Sequence, residues 1–332
     1  MNYKLSVIIP CYNAENSIVH TIESVLNQSI GFENIELILI NNGSTDNTNN
    51  IIKTYCEKYK NIIPIFIKNN TGNAAIPRNM GLEKTTSDYI MFLDADDEFM
   101  PDFCEVAYTK ITENNVDLVK CNYITITNNE TRYNYYFNKE IKEKIIKNTD
   151  LPLKNVNIWN GIYKTEIIKK NQITFPNYMG EDTYFTTKEF LNMNEMIYLN
   201  DYFGYKYYDY EDSHSKKPSK KNISDLIQVL KKTMNLCKDC EREDVMNIII
   251  GQQITGVYLR IINTDESVKI KKELIEETYD IVKNSNLVTE SIIFRIANIL
   301  IKNRLFTLTI VYLNISYKVY SSKTLYKLLH KN

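Results

Sequence analysis

The chain has 332 residues, 43% hydrophobic and 24% charged, which suits one large α/β domain with an appendage, or two domains. Its formal net charge of -1 argues against a generally basic, nucleic-acid-coating surface. Six cysteines scattered from Cys11 to Cys240 read as reduced thiols, not a disulfide framework, and the lone Cys237-Lys238-Asp239-Cys240 reads as two thiols on a helix.

The sequence enters a strand-like run directly after Met1-Asn2-Tyr3-Lys4, without the pattern of a signal peptide. No apolar run reaches the ~20 residues that span a bilayer. The expected location is therefore cytoplasmic. Leu5 to Ile9, closed by Pro10, predicts a buried strand. Asn13 to Gln28 predicts a helix, with Ile18, Val19, Ile22, Val25 and Leu26 at helical spacing. Ile35 to Ile40 is the second strand, Gly43 to Asp46 a turn and cap, and Ile51 to Tyr59 a helix. Ile62 to Ile67 is the third strand, Pro77 to Glu83 a short helix, and Tyr89 to Leu93 a fourth strand that runs into Asp94. Alternating strands and helices imply a mainly parallel sheet covered on both faces, with ligands beyond the carboxyl ends of the strands.

After residue 115 the pattern becomes mixed, with strands predicted at Val116 to Ile126 and Tyr133 to Phe137. Lys216-Lys217-Pro218-Ser219-Lys220-Lys221 reads as a charged hinge, dividing the chain into 1–217 and 218–332. Helical periods follow at Ile223 to Leu236, Val245 to Asn263, Lys269 to Asn284 and Thr289 to Asn303.

Polar residues cluster after each of the first four strands: Tyr12 and Asn13, Asn41 and Asn42, Asn69 and Asn70, then Asp94, Asp96 and Asp97. Any one cluster is ordinary turn chemistry. A parallel sheet would bring all four to one rim. Three carboxylates within four positions repel unless a cation or hydrogen bonds offset them. An extended backbone would put Asp94 and Asp96 on one side, where Mg²⁺ or Mn²⁺ fits; a solvated acidic turn fits equally.

The ordered series Ser6-Val7-Ile8-Ile9-Pro10-Cys11-Tyr12-Asn13, Ser24-Val25-Leu26-Asn27-Gln28-Ser29, Asn42-Gly43-Ser44-Thr45-Asp46-Asn47-Thr48, Arg78-Asn79-Met80-Gly81-Leu82 and Phe92-Leu93-Asp94-Ala95-Asp96-Asp97 continues into Trp159-Asn160-Gly161-Ile162-Tyr163-Lys164 and Gly180-Glu181-Asp182-Thr183-Tyr184-Phe185. It resembles the inverting family-two glycosyltransferases of the GT-A fold, of the bacterial capsule, teichoic-acid and lipopolysaccharide type, over residues 5 to about 190. The resemblance implies an α/β GT-A fold with a helical C-terminal region and a metal-dependent transfer of a sugar from a nucleotide-diphospho-sugar, UDP-linked first. The acceptor would be a hydroxyl of a glycan, lipid-linked or polyol-phosphate partner. It implies that Pro10, Tyr12 and Asn13 line the nucleotide pocket and that Asn42 and Asn70 meet the base edge. Arg78 would approach the diphosphate or donor sugar. Asp94 and Ala95 would sit at the donor, and Asp96 would hold Mn²⁺ or Mg²⁺ with Asp94. Trp159 and Asn160 would shape the sugar cleft. Asp182 would be the base, with Glu181 beside it. Alone, that pair reads as acids capping a helix. Where relatives carry two aspartates this chain has Asn41 and Asn42, and an amide both accepts and donates. His214 falls where relatives close a loop on the diphosphate, so it is a metal ligand, a phosphate donor or a surface histidine.

Other readings remain: transfer of a different nucleotide-activated group, or a non-catalytic nucleotide-sugar-binding subunit. From Ile301 to Asn332 there are six Lys or Arg and no acid, beside Leu305, Phe306, Leu308 and Tyr312. That mixture suits either an anionic membrane surface, which would place the chain at the inner face of the plasma membrane, or packing on this chain or on a second subunit of a homo-oligomer.

Overall fold

The computed structural model describes residues 3–150, 156–209, 218–289 and 291–321. The chain divides into two compact units. One comprises Met1–Asp150, Val156–Asn177 and Lys188–Glu211, and the other Leu151–Asn155, Tyr178–Thr187 and Asp212–Asn332.

The first unit opens with β1 (Leu5–Cys11), α1 (Ile18–Leu26), β2 (Ile35–Asn42), α2 (Thr48–Lys58), β3 (Ile62–Ile67), α3 (Ala75–Lys84) and β4 (Tyr89–Phe92). β1 and β2 are near-continuous apolar runs because both faces are covered; Leu5, Val7, Ile8, Ile9, Ile35 and Leu37 through Ile40 are fully buried. β1 pairs in parallel with β2 from Leu5↔Ile35 to Cys11↔Asn41, and with β4 from Ser6↔Ile90 to Ile8↔Phe92. β2 pairs in parallel with β3 as far as Asn42↔Ile67. These registers bring the carboxyl ends of four strands to one edge, as the polar clusters require.

Next come β5 (Glu98–Phe99), α4 (Phe103–Asn114), β6 (Leu118–Ile126), β7 (Thr131–Asn134), β8 (Glu143–Lys147), β9 (Gly161–Lys164), α5 (Thr165–Lys170), α6 (Glu181–Asn192) and β10 (Glu195–Tyr208). The strand order is β3-β2-β1-β4-β9-β6-β10-β5, with β7 on β6 and β8 on β10. The sheet is parallel through β4 and then mixed: β9 is antiparallel to both its neighbours, while β6 and β10 are parallel. β10 contains register shifts between Leu199, Phe203 and Tyr205, which re-aim its last residues.

The second unit holds α7 (Lys220–Asp239), α8 (Glu243–Asn263), α9 (Val268–Glu277), α10 (Tyr279–Lys283), α11 (Ile292–Lys302) and α12 (Phe306–Ser321). The N-terminus of α7 is capped by Ser219 Oγ, which accepts from Asn222 N–H at 3.2 Å. α8 is long and apolar enough to cross a membrane by length and composition. More than half of that stretch is buried, including Ile250, Ile254, Val257 and Ile261, so it also fits as the core helix of this unit. The helix expected from Lys269 to Asn284 breaks in two at buried Thr278. Its N–H and its hydroxyl both bond Ile275 O, at 3.1 and 2.7 Å, tightening the turn. The Lys216-Lys217 part of the expected hinge, and His214, lie outside the described residues.

Candidate active site

The rim is built first by stapling two turns together. Asn13 sits in the left-handed region, φ 47°, and its Oδ1 accepts from Thr45 N–H at 2.9 Å. Ala14 N–H donates to Thr48 Oγ1 at 2.8 Å, Glu15 N–H to Asp46 Oδ2 at 3.0 Å, and Asn47 N–H back to Glu15 Oε2 at 2.9 Å. Asn41 Oδ1 accepts from Ser44 N–H at 3.0 Å. The Gly43 to Thr48 motif is thus a folded shelf fixed to the end of β1. Pro10 is the penultimate residue of β1, and Tyr12, just past its end, is 41% exposed.

Asn42, expected at the base edge, is placed at the end of β2 against the loop after β3. It is buried, and its Oδ1 already accepts from Thr71 N–H and Thr71 Oγ1 at 3.1 and 3.0 Å, while its Nδ2 donates to Asn73 O at 3.2 Å. Both lone pairs are committed, so accepting a base N–H would require releasing Thr71. Here Asn42 holds the loop after β3. Asn70, exposed in that loop, accepts from Gly72 N–H at 2.5 Å. Gly43 makes the approach of the two loops feasible: φ is 69°, and a Cβ there would lie 2.5 Å from Asn70 N. Gly43→Ala is therefore expected to cost about 2 kcal/mol or more in urea unfolding, from strain and displaced backbone together.

The acidic element is a turn, not an extended run, which overturns the alternation argument. β4 ends at Phe92, and Asp97 N–H bonds back to Asp94 O at 3.2 Å. Ala95, buried, has its carbonyl held by Ser17 Oγ and Thr21 Oγ1 at 2.8 and 3.0 Å. Partners separate the three carboxylates instead. Asp94 Oδ1 pairs with Arg78 Nη2 at 2.8 Å, and the buried guanidinium lies 5.5 Å from the Phe175 ring. Asp97 is buried; its oxygens accept from Tyr205 O–H at 2.7 Å and Tyr208 N–H at 2.8 Å. Burial, then the charges of Asp94 and Asp96, push its carboxyl well up, against those two bonds. Asp96 is exposed and bonds no other described side chain. Surrounding protein and the Asp94 charge still push its carboxyl up to about 6.

Trp159 and Asn160, expected to shape the sugar cleft, are both buried. Trp159 is 7% exposed, stacked on Tyr205 at 4.2 Å and on Tyr207 at 5.9 Å, edge-on to Tyr123 at 4.9 Å. Asn160 is buried and donates through Nδ2 to Cys121 O at 2.6 Å. Both directly precede β9, in the middle of the sheet. Glu181 and Asp182 open α6 directly after Gly180 (φ 84°); that first stretch, to Thr187, belongs to the second unit, with Glu181 buried and Asp182 half-buried.

Among the described residues no three Asp, Glu, His or Cys side chains converge into a cation cage. A hard cation bound by one or two carboxylates completes its oxygen shell with water and substrate phosphates. Exposed Asp96 beside Asp94 fits that mode.

The family profile described as Glycosyl transferase family 2 matches residues 6–172, half of the chain. The chain belongs to glycosyl transferase family 2. It is 34% identical to the Staphylococcus aureus poly(ribitol-phosphate) beta-N-acetylglucosaminyltransferase TarP over 64% of this chain and 65% of that one. It is 29% identical to Escherichia coli YibD, an uncharacterized glycosyltransferase, over 86% and 87%. The crystal structure of S. aureus TarS 1–349 with UDP-GlcNAc superposes with a TM-score of 0.78 at 20% identity, covering 95% and 91% of the two chains. The fold is accordingly the GT-A type. The chain spans less than two thirds of TarP, and 29% of the length of Streptococcus pneumoniae GlyA.

In this family-2 glycosyltransferase the residue that sequence reading missed is Tyr205. It is fully buried, donates to Asp97, accepts from Asp94 N–H at 3.3 Å and carries Trp159 on its ring. The signal is the Tyr-rich run Tyr202-Phe203-Gly204-Tyr205-Lys206-Tyr207-Tyr208, a strand composition. Tyr205→Phe keeps the stack and deletes the hydroxyl. Losing a bond to a buried carboxylate is expected to cost about 2 kcal/mol in unfolding and to loosen the Asp94–Asp97 turn, measured as faster amide exchange there.

Proposed function

We propose that this enzyme transfers a sugar with inversion, N-acetylglucosamine from UDP-GlcNAc before other hexosyl donors, to a hydroxyl of a polyol-phosphate polymer of the cell envelope. The observation that carries the reading is Asp94, locked by Arg78, beside exposed Asp96 at the carboxyl ends of four parallel strands. The TarS complex with UDP-GlcNAc and the poly(ribitol-phosphate) acceptor in TarP's name support the choice of substrates.

The nucleotide lies on the shelf formed by Pro10, Tyr12, Asn13 and the Asn42-held loop. Inverting transfer is a displacement at the anomeric carbon. The acceptor hydroxyl is a weak nucleophile, so Asp182 takes its proton as the new bond forms, with Glu181 beside it. Asp96, with Asp94, would hold Mn²⁺ or Mg²⁺, and such an ion supplies positive charge to the departing diphosphate. Arg78 keeps Asp94 in place and adds fixed positive charge behind it. The enzyme works on the cytoplasmic side; all six cysteines are free thiols, which suits a reducing compartment.

Wild-type enzyme with Mn²⁺, UDP-GlcNAc and a poly(ribitol-phosphate) acceptor should form product and release UDP. UDP binding without turnover on any acceptor would make it a binding subunit instead. The carboxyl of Asp96 gives a pH signature. Its folded value, about 6, lies above the ordinary 3.8, so the fold favours the protonated form. The stability this group contributes is full below about pH 4 and is lost as pH rises through 6. A cation needs the carboxylate, so the sign for binding is opposite. Mn²⁺-assisted UDP affinity should rise between pH 5 and 7 and then level off, read by calorimetric titration. A flat profile would remove Asp96 from the metal site.

A further inference from the structure

We infer that the α11–α12 face of the helical unit is a seat for an anionic lipid surface. In α11, Ile292, Ile296 and Ile299 are 67, 37 and 58% exposed; in α12, Leu308, Val311 and Ile315 are 50, 48 and 58% exposed. At 3.6 residues per turn, each trio falls within about 60° on its helix. Ala297 and Ile301 of α11, and Ile310 and Leu313 of α12, bury the opposite sides. These helices are therefore apolar on two sides, and among the described residues only one side is packed.

The charges identify the occupant. From Ser291 to Ser321 there are Arg295, Lys302, Arg304 and Lys318, and no Asp or Glu, in a chain whose net charge is -1. By helical spacing, Arg295 and Lys302 lie on one flank of the α11 stripe, and Lys318 lies on a flank of the α12 stripe. Arg295 Nε donates to Thr289 O at 3.0 Å, Lys302 Nζ to Ser285 O at 2.9 Å, and Arg304 Nε to Tyr279 O–H at 3.2 Å. Those partners are neutral oxygens, so the positive charge is held in place without being cancelled. A second copy docked face to face would set Arg295, Lys302 and Arg304 against their own images, with no Asp or Glu between Ser291 and Ser321 to pair. A leaflet of anionic headgroups supplies both needs, apolar depth for the stripe and negative charge for its edge.

The test is co-sedimentation of the full chain with vesicles of 30% phosphatidylglycerol in phosphatidylcholine, against pure phosphatidylcholine. At 50 mM salt, binding to the anionic vesicles should be at least about tenfold tighter, and 500 mM salt should remove most of that difference. Ile299→Asp with Ile315→Asp should abolish binding; both sites are exposed, so thermal unfolding and UDP binding should stay as in wild type. Should that pair fail to fold, Ile292→Ser with Ile296→Ser serves, with a loss of about fivefold or more expected. Lys302→Gln with Lys318→Gln should weaken the anionic arm alone. No binding at low salt overturns the inference. So does a dimer in light scattering that Ile299→Asp with Ile315→Asp dissolves while vesicles are ignored; the occupant would then be a second copy.

Discussion

Asp182→Asn is expected to lower sugar transfer by about 10³-fold while UDP affinity stays within about twofold. The substitution keeps size and hydrogen-bonding reach but removes the ability to accept a proton from the acceptor hydroxyl. A second explanation of the same residue is purely structural. Glu181 and Asp182 occupy the first turn of α6, where negative charge is favoured by the helix dipole. In that case the change would cost about 0.3–1 kcal/mol of stability and leave kcat almost intact. The two outcomes differ by orders of magnitude in rate, so one kinetic measurement separates them. A variant that retains full kcat would place the base elsewhere. Retention of UDP binding is the internal control, because it reports that the variant is folded and still takes the nucleotide.

The sequence made the first four strands legible because they are short apolar runs rich in Ile, Val and Leu, with polar residues stacked at their carboxyl ends. Parallel pairing then follows from the intervening helices, and the rim follows from the pairing. The mixed half of the sheet was harder to read. β9, only Gly161–Lys164, is too short to carry a period, and β10 changes register midway. Missing β10 meant missing Tyr205, and with it the reason that Asp97 tolerates burial. The motif residues are legible in the sequence, but their partners are not. That Asn42 faces Thr71, and Arg78 faces Asp94, depends on how two loops and a helix meet. Spacing in the chain does not encode that meeting. The Asp94 to Asp96 segment illustrates the same limit. Alternation assumes an extended backbone, whereas the hydroxyls of Ser17 and Thr21 hold Ala95 O and the chain turns. Three adjacent carboxylates are thereby given three environments: one ion-paired, one exposed, one buried under Tyr205.

Arg78→Ala should cost the first unit about 3 kcal/mol of stability, with loss of measurable transfer. Breaking a buried ion pair by removing one partner typically costs ~3–5 kcal/mol, because the other charge is left behind. Asp94 retains 29% side-chain exposure, so water recovers part of its solvation and the lower end of that range applies. The stranded carboxylate then faces Asp96 and Asp97 without its cation, which disfavours three ionised groups in one turn. Arg78→Lys should rescue only part of the loss. An ammonium can meet Asp94 Oδ1, but it lacks the planar fork that also lies against Phe175. Asp94→Asn in the Arg78→Ala background should recover stability, because the orphaned charge is gone, yet restore no transfer. Urea unfolding and a transfer assay on the three variants distinguish electrostatic support of the turn from simple packing of Arg78. If packing were the whole role, Arg78→Ala would be equally unstable with Asp94 or Asn at position 94.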